Sequence, residues 1–358
     1  MHAFNPQGLE ALSVFASDNW SGLCPEALKA LVRANSGSEP PYGQDRWTLA
    51  ACDGIRQLFD HDALVFFVSS GTAGNGLALA HLTAPYQSIL CHSQSHIHLD
   101  ECGATGLFSH GSLLKPIGLS GDAKLRDSEL ESALSEPEDL RFQQPGTLSL
   151  TQVTERGTVY GISELSSLIT LAKDRGLRVH MDGARFFQAV TALHCDPADI
   201  TWKVGVDVLT LGASKIGGGI GDAIVFFDHV LAKGFEYRMK QAGQVTSKHR
   251  LLTAPWVGLL ESKVWYENAK HANAMSKDLE EKLMASGIET RFSRDANMLF
   301  TSFTDQAASR IKERGWQFHI HPETGLARLV CGWDAHAASN TLFAEDVAEA
   351  MASSQQLD

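Results

Sequence analysis

Residues 63–82, ALVFFVSSGTAGNGLALAHL, change period part-way along. A β-branched and aromatic run of the kind that fills a buried strand gives way to small turn residues, and these lead into the Ala/Leu spacing of a helix. A strand passing straight into a helix is the repeating unit of α/β folds. Further short apolar runs recur at 88–92 (SILCH), 146–152 (GTLSLTQ), 178–183 (RVHMDG), 206–212 (VDVLTLG) and 223–227 (AIVFF). Helical spacing falls between several of them. In ISELSSLITLAKDRG (162–176), Ser163 reads as the start signal and Gly176 as the stop. The alternation predicts a mostly parallel central sheet flanked by helices on both faces. In such sheets ligands bind beyond the carboxyl ends of the strands, so the polar residues after each run carry the functional reading.

The flanks differ in character. Before residue 60 the chain is polar and turn-rich, with a helix expected over RWTLAACDGIRQLFD (46–60). From about residue 253 a long helical stretch (255–287) precedes short strands expected at 288–292, 297–303, 318–322 and 327–333. Helices are expected over 304–315 and near the carboxyl end. The division expected is 1–253, an amino-terminal segment with a large domain, and 254–358, a smaller α+β domain.

Composition removes several function classes. The 358 residues carry 30 Lys plus Arg against 42 Asp plus Glu, a net charge of −12 that disfavours nucleic acid and anionic membranes as partners. No run has the apolar length of a membrane span, and MHAFNPQGLEALSVF (1–15) lacks the layout of a secretory signal. Six scattered cysteines without a C-x-x-C pair fit reduced thiols. A cytoplasmic protein is expected.

Three strand ends carry unusual chemistry. Gly71 and Thr72 lie between a strand and a helix, where free N–H groups and a hydroxyl suit a phosphate, although a plain glycine turn fits as well. No Lys-Ser/Thr follows the glycines, and their spacing is not that of a dinucleotide fingerprint. Asp182 ends RVHMDG, with Arg185 three residues on. That pair suits a heteroaromatic nitrogen and an anion, or a structural salt bridge. Lys215 ends the next apolar run. Dehydration there favours a nucleophilic amine, and Gly217, Gly218 and Gly219 would let the backbone pass close to a bound ring. A lysine reaching to solvent from a strand end is the alternative. Together the three sites match what pyridoxal 5′-phosphate requires: an anion cradle, a partner for the pyridine nitrogen, and an amine for a Schiff base.

The motifs FASDNWSG, YGQD, SSGTAGN, SHIHLDECGA, HMDGARF, LGASKIGG and RLVCGWD occur in the order and spacing of the low-specificity L-threonine aldolases. The whole chain resembles that family, and HMDGARF with TWKVGVDVLTLGASK is similar to the branch that includes phenylserine aldolase. The resemblance implies an aspartate-aminotransferase-like, fold-type I pyridoxal phosphate enzyme. Its activity would be retro-aldol cleavage of L-β-hydroxy-α-amino acids (threonine, allo-threonine or phenylserine) to glycine and an aldehyde. β-Elimination, transamination and a non-catalytic cofactor-binding protein are the alternatives. The resemblance makes Lys215 the cofactor-bearing lysine, Asp182 the pyridine-nitrogen partner, and Gly71 with Thr72 the phosphate cradle. Arg185, Arg328 and Ser17 would serve the substrate carboxylate, Arg185 lying also beside the cofactor. His96 would stack on the cofactor and is the candidate acceptor of the β-hydroxyl proton. Tyr42, Arg238 and Lys248 would reach a neighbouring subunit's cofactor in a dimer or a dimer-of-dimers tetramer.

Two further points concern this chain in particular. His92, His96, His98, Asp100 and Glu101 are close in sequence, but the segment reads as strand then loop, and no metal is assigned. Many relatives place a second histidine just before the strand at 146–152, where this chain has Arg141 and Phe142. Arg141 either reads a polar or anionic β-substituent or points to solvent.

Overall fold

The computed structural model describes residues 15–355 apart from 136, 138 and 323, so residues 1–14 of the stretch read for an export signal lie outside the described residues. Seven strands form the main sheet: β1 Leu64–Val68, β2 Gln87–His92, β3 Leu113–Gly118, β4 Gln144–Thr151, β5 Arg178–Gly183, β6 Val208–Leu211 and β7 Asp222–Phe226. Their spatial order is β1-β7-β6-β5-β4-β2-β3. The five strands from β6 to β3 pair in parallel, whereas β7 is antiparallel to both β1 and β6. The mostly parallel α/β sheet read from the sequence is therefore present. The reversal of β7 has a functional consequence: its first residue, Asp222, emerges at the same edge as the last residues of its neighbours.

The central strands are largely buried because both faces are covered; every residue of β6 and β7 is buried. β3 escaped the sequence reading because it is an edge strand. Its residues are largely part-exposed, and Lys115 and Pro116 interrupt the apolar run. The helix Gly71–Leu82 is buried from Ala73 to Ala80, which its Gly/Ala/Leu composition allows. A Cβ on Gly74 would stand 2.7 Å from Thr210 Cγ2, so glycine there lets this helix lie directly against β6.

Several local expectations need correction. The helix Ile162–Asp174 starts after Gly161, whose N–H donates to the Glu164 carboxylate at 2.7 Å, and Ser163 lies inside it. The stretch 255–287 is two helices, Arg250–Ser262 and Val264–Ala285, separated by Lys263 at φ 56°. Residues 288–292 contribute only a bridge from Thr290 to Thr301. The second sheet is antiparallel, β8 (Met298–Ser302), β10 (Leu326–Val330) and β9 (His319–Ile320) in spatial order.

The two largest apolar clusters lie in different parts of the fold. The main one joins Phe59, Phe186, Phe187 and Trp256 beneath the large sheet, and the second surrounds Trp316 and Phe343. The helix Val264–Ala285 spans both, with Ala269 in the first and Leu279 and Leu283 in the second. Phe15 packs in the second core, its ring 4.6 Å from that of Phe343, and Val330 N–H donates to the Phe15 carbonyl at 2.9 Å. Phe15 thus leans on the smaller sheet, whereas Cys24, Ala27, Ala30 and Ala34 further along the amino-terminal segment pack in the main core. No described helix is long and apolar enough to cross a membrane.

Candidate active site

Lys215 lies on a 3-10 turn, Ser214–Ile216, just past β6. Two buried carboxylates, Asp18 and Asp222, interact electrostatically with it. Burial pushes the Asp222 carboxyl above its ordinary range, opposed by Lys215 and by the Ala213 N–H, which donates to Oδ1 at 3.2 Å. Burial also acts upward on Asp18, but Arg185, Lys215 and Asn297 outweigh it and hold that carboxyl low. The glycines after Lys215 are closely packed by their surroundings. A Cβ on Gly217 would meet Cys24 at 2.9 Å, and one on Gly218 would meet Ala213 at 2.5 Å. Gly217 also takes φ 87°, so these residues close-pack the loop under Leu23–Cys24 and Trp333.

Asp182 is the penultimate residue of β5, with Oδ1 accepting from Ala184 N–H at 3.0 Å and Oδ2 from Asn75 Nδ2 at 2.9 Å. Beneath it, buried His180 sits 3.0 Å from both Ser149 Oγ and Thr210 Oγ1, tying β5 to β4 and β6. Burial drives that imidazole down to about 4, so it is neutral and structural. The Asn75 amide bridges two acids: it also donates to Glu101 Oε1 at 2.8 Å, and Glu101 Oε1 lies 2.9 Å from His96 Nδ1. His96, Glu101 and Asp182 offer ligand atoms within 4.8 Å of one another. His92 stands apart, its Nε2 3.3 Å from Ser120 Oγ, so the histidines grouped in the sequence do not converge. His96 opens a four-residue helix, and its backbone N–H donates to Glu155 Oε1 at 2.7 Å. Burial, reinforced by Asp182, raises the Glu155 carboxyl to about 7.

At the start of the helix Gly71–Leu82, Ser70 Oγ accepts from Ala73 N–H at 3.3 Å, leaving the first-turn N–H groups of Gly71 and Thr72 for an anion. Ser69 is held from outside by Gln244 Oε1, which accepts from its N–H and hydroxyl.

The carboxylate-binding candidates divide. Arg185 is engaged: Nε and Nη2 each donate to Asp18 at 2.8 Å, and Asn297 Nδ2 donates to the same carboxylate at 2.9 Å. Arg328, on β10, uses Nη2 on the Ala16 carbonyl at 3.2 Å, while its enclosed Nε has no hydrogen-bond partner. Burial and neighbouring Arg185 hold its guanidinium below the usual value. Ser17 adjoins that Ala16 contact, and its Oγ accepts from Asn19 N–H at 3.2 Å. The other candidates lie elsewhere. Tyr42 is exposed with φ 61° and has Lys240 Nζ 4.9 Å from its ring centre. Arg238 Nη1 donates to the Phe108 carbonyl at 3.4 Å, and Lys248 is exposed before the helix Arg250–Ser262. Arg141 forms a forked pair with Asp139 before β4, at the sheet edge opposite Lys215.

Asp18, Asn75, Glu155 and Asp222 were missed as site residues. The signal for Asp222 was present, since a carboxylate heads an otherwise apolar run. Asp18 lies within the quoted motif FASDNWSG, and Asn75 faces the site from inside a helix read as core.

The beta-eliminating lyase family matches residues 15–306. The chain belongs to that family. This beta-eliminating lyase homologue is 43% identical over 339 residues to the low specificity L-threonine aldolase of Pseudomonas sp. (strain NCIMB 10558), covering 94% of this chain and 97% of the relative. It is 44% identical over 338 residues to the Pseudomonas aeruginosa protein of the same name, covering 93% and 96%. The Leishmania major threonine aldolase structure superposes with a TM-score of 0.87 at 27% identity, covering 94% of this chain and 98% of that one. The fold-type I architecture expected from the sequence is thereby shown, and the family depends on pyridoxal 5′-phosphate. The residues fit that group: a free helix N-terminus for phosphate, an anchored carboxylate at Asp182 for the pyridine nitrogen, an amine at Lys215, and an imidazole at His96.

Proposed function

We propose that the protein cleaves L-β-hydroxy-α-amino acids of the threonine, allo-threonine and phenylserine type to glycine and an aldehyde. The reading is carried by one conjunction: Lys215, Asp182 and the Gly71–Thr72 turn meet at one sheet edge in a chain over 40% identical to two low specificity L-threonine aldolases. Bound there, pyridoxal 5′-phosphate supplies an aldehyde carbon for an amine and a conjugated ring that accepts the electron pair of a broken bond. Lys215 provides the resident amine, Gly71 and Thr72 the phosphate N–H donors, and Asp182 keeps the ring nitrogen protonated. Arg328, with its unpartnered Nε, takes the substrate carboxylate beside Arg185 and Ser17. Fixing that carboxylate determines which bond at Cα is aligned for cleavage. His96 accepts the β-hydroxyl proton.

Tyr42, Arg238, Lys248 and Arg141 act, in this proposal, across a subunit contact. Eight residues of β4 span roughly 26 Å, too far for Arg141 to reach its own Lys215. A dimer or a dimer-of-dimers tetramer follows, and exposed Leu107, Leu113, Leu119 and Ile220 supply apolar surface for it. We also propose a cytoplasmic location, which six unpaired cysteines support, and the division into 1–253 and 254–358. Incubation with L-threonine, L-allo-threonine and L-phenylserine tests the reaction. Glycine plus aldehyde is expected; keto acid plus ammonia from all three would replace this reading with β-elimination.

A further inference from the structure

Resting on that reaction, we propose that Glu101 is the positioning residue that makes His96 a base, by holding a proton on Nδ1 and leaving Nε2 to face the substrate hydroxyl. The geometry is that of an oriented pair. Glu101 Oε1 lies 2.9 Å from His96 Nδ1, and the Glu101 side chain is fully enclosed while the His96 side chain is 47% exposed. Asn75 Nδ2 donates to the same oxygen at 2.8 Å, and because that amide is fixed at its other hydrogen by Asp182, the carboxylate cannot rotate away without breaking two contacts. Glu155 pins the other end of His96 through the backbone N–H. Ring and backbone of His96 are thus both set by acids, and only Nε2 is left uncommitted.

The proton balance is simple. The substrate O–H bond breaks and its proton passes to Nε2; the oxygen lone pair becomes the aldehyde C=O as Cα–Cβ breaks; and the bonding pair stays with the glycine fragment. An imidazolium forms against a carboxylate that is already in place. The groups facing the ring are Glu101, Asp182 and Asp100, with Glu155 at its backbone, and all are acids. The bond to Glu101 is the largest influence raising His96, ahead of the opposing effect of burial.

The test uses cofactor-loaded Glu101→Gln and Glu101→Asp, two readouts, and the wild type as reference. Carbethoxylation of His96 by diethyl pyrocarbonate, followed by mass spectrometry across pH, gives the midpoint of the ring. It is expected to fall by about one pH unit in Glu101→Gln and to return most of the way in Glu101→Asp. Turnover of L-phenylserine is expected to fall at least tenfold in Glu101→Gln, with KM and cofactor affinity within twofold of wild type. The acidic limb of kcat/KM should move down with the midpoint. An unchanged His96 midpoint in Glu101→Gln overturns the pairing whatever the activity. A shifted midpoint with an undiminished turnover overturns the catalytic role. A wild type that shows the midpoint but yields no glycine and aldehyde overturns the reaction reading and leaves the pair standing.

Discussion

Asp18→Asn removes a charge from the most thoroughly bonded acid of the site while preserving its volume. Asp18 is fully buried and accepts two charge-assisted hydrogen bonds from Arg185 at 2.8 Å and a third from Asn297 at 2.9 Å. Only 14% of the Arg185 side chain is exposed, so water cannot replace the lost partner. Leaving one member of such a pair uncompensated costs about 3–5 kcal/mol. The asparagine carbonyl still accepts from one guanidinium N–H, which recovers about 1 kcal/mol. The net expectation is about 2–4 kcal/mol, roughly a 30- to 700-fold drop in the folding constant. Urea unfolding of the cofactor-free protein, followed by tryptophan fluorescence, measures it without ligand linkage. The pH dependence has a definite sign. The folded-state pKa of Asp18 lies below its unfolded value, so its contribution is complete above the unfolded pKa and is lost as pH falls through the folded one. The gap between wild type and variant should stay constant from pH 6 to 8 and close below about pH 4. A gap under about 1 kcal/mol at pH 8, or one that widens on acidification, would refute the reasoning.

The other expectations concern single side chains. Lys215→Ala abolishes turnover and leaves no cofactor-bearing peptide after borohydride treatment, while the urea midpoint stays near wild type; residual turnover would contradict the assignment. Glu155→Gln stabilises the protein at pH 9 by about 1–3 kcal/mol but not at pH 4. The raised folded pKa of Glu155, about 7, makes the native state hold a proton that the unfolded chain releases, so wild-type stability declines as pH rises through that window. Equal stability of the two proteins at pH 9 would count against a buried acid there. Arg328→Lys, which loses the unpartnered Nε, raises KM for the amino acid at least tenfold with cofactor affinity unchanged, measured by steady-state kinetics and cofactor titration. Asp222→Asn is at least as stable as wild type at pH 8 in the same unfolding assay.

The fold was legible because the central strands are buried on both faces and so carry short, mainly apolar runs, as in β6 and β7. Lys215 and Asp182 were legible because charged groups at the ends of such runs have no packing reason to be there. β3 was not, since an edge strand with Lys115 and Pro116 has the composition of a loop. The reversal of β7 was equally hidden, because strand direction depends on long-range pairing and not on local pattern. That reversal is what brings Asp222 to the active edge. The engagement of Arg185 by Asp18 joins residues 167 positions apart and has no local trace in the sequence.

Asp18 and Asp222 show how two buried acids that interact with one lysine can be held differently. Both are buried and both interact with Lys215, yet their carboxyls move in opposite directions. Asp18 has a guanidinium fork and an amide, enough donors to overcome desolvation and keep its charge. Asp222 has the Ala213 N–H and the lysine itself, and desolvation wins. The acid held low is therefore the one bonded by the Arg185 fork, and the acid beside the phosphate turn is the one that burial raises. A Cβ on Gly71 would lie 3.4 Å from Asp222 Oδ2, so a full charge at that oxygen would oppose a phosphate arriving at the helix N-terminus. Lys215 therefore faces one acid already bonded to Arg185 and another that burial raises, a setting suited to an amine that exchanges partners during turnover.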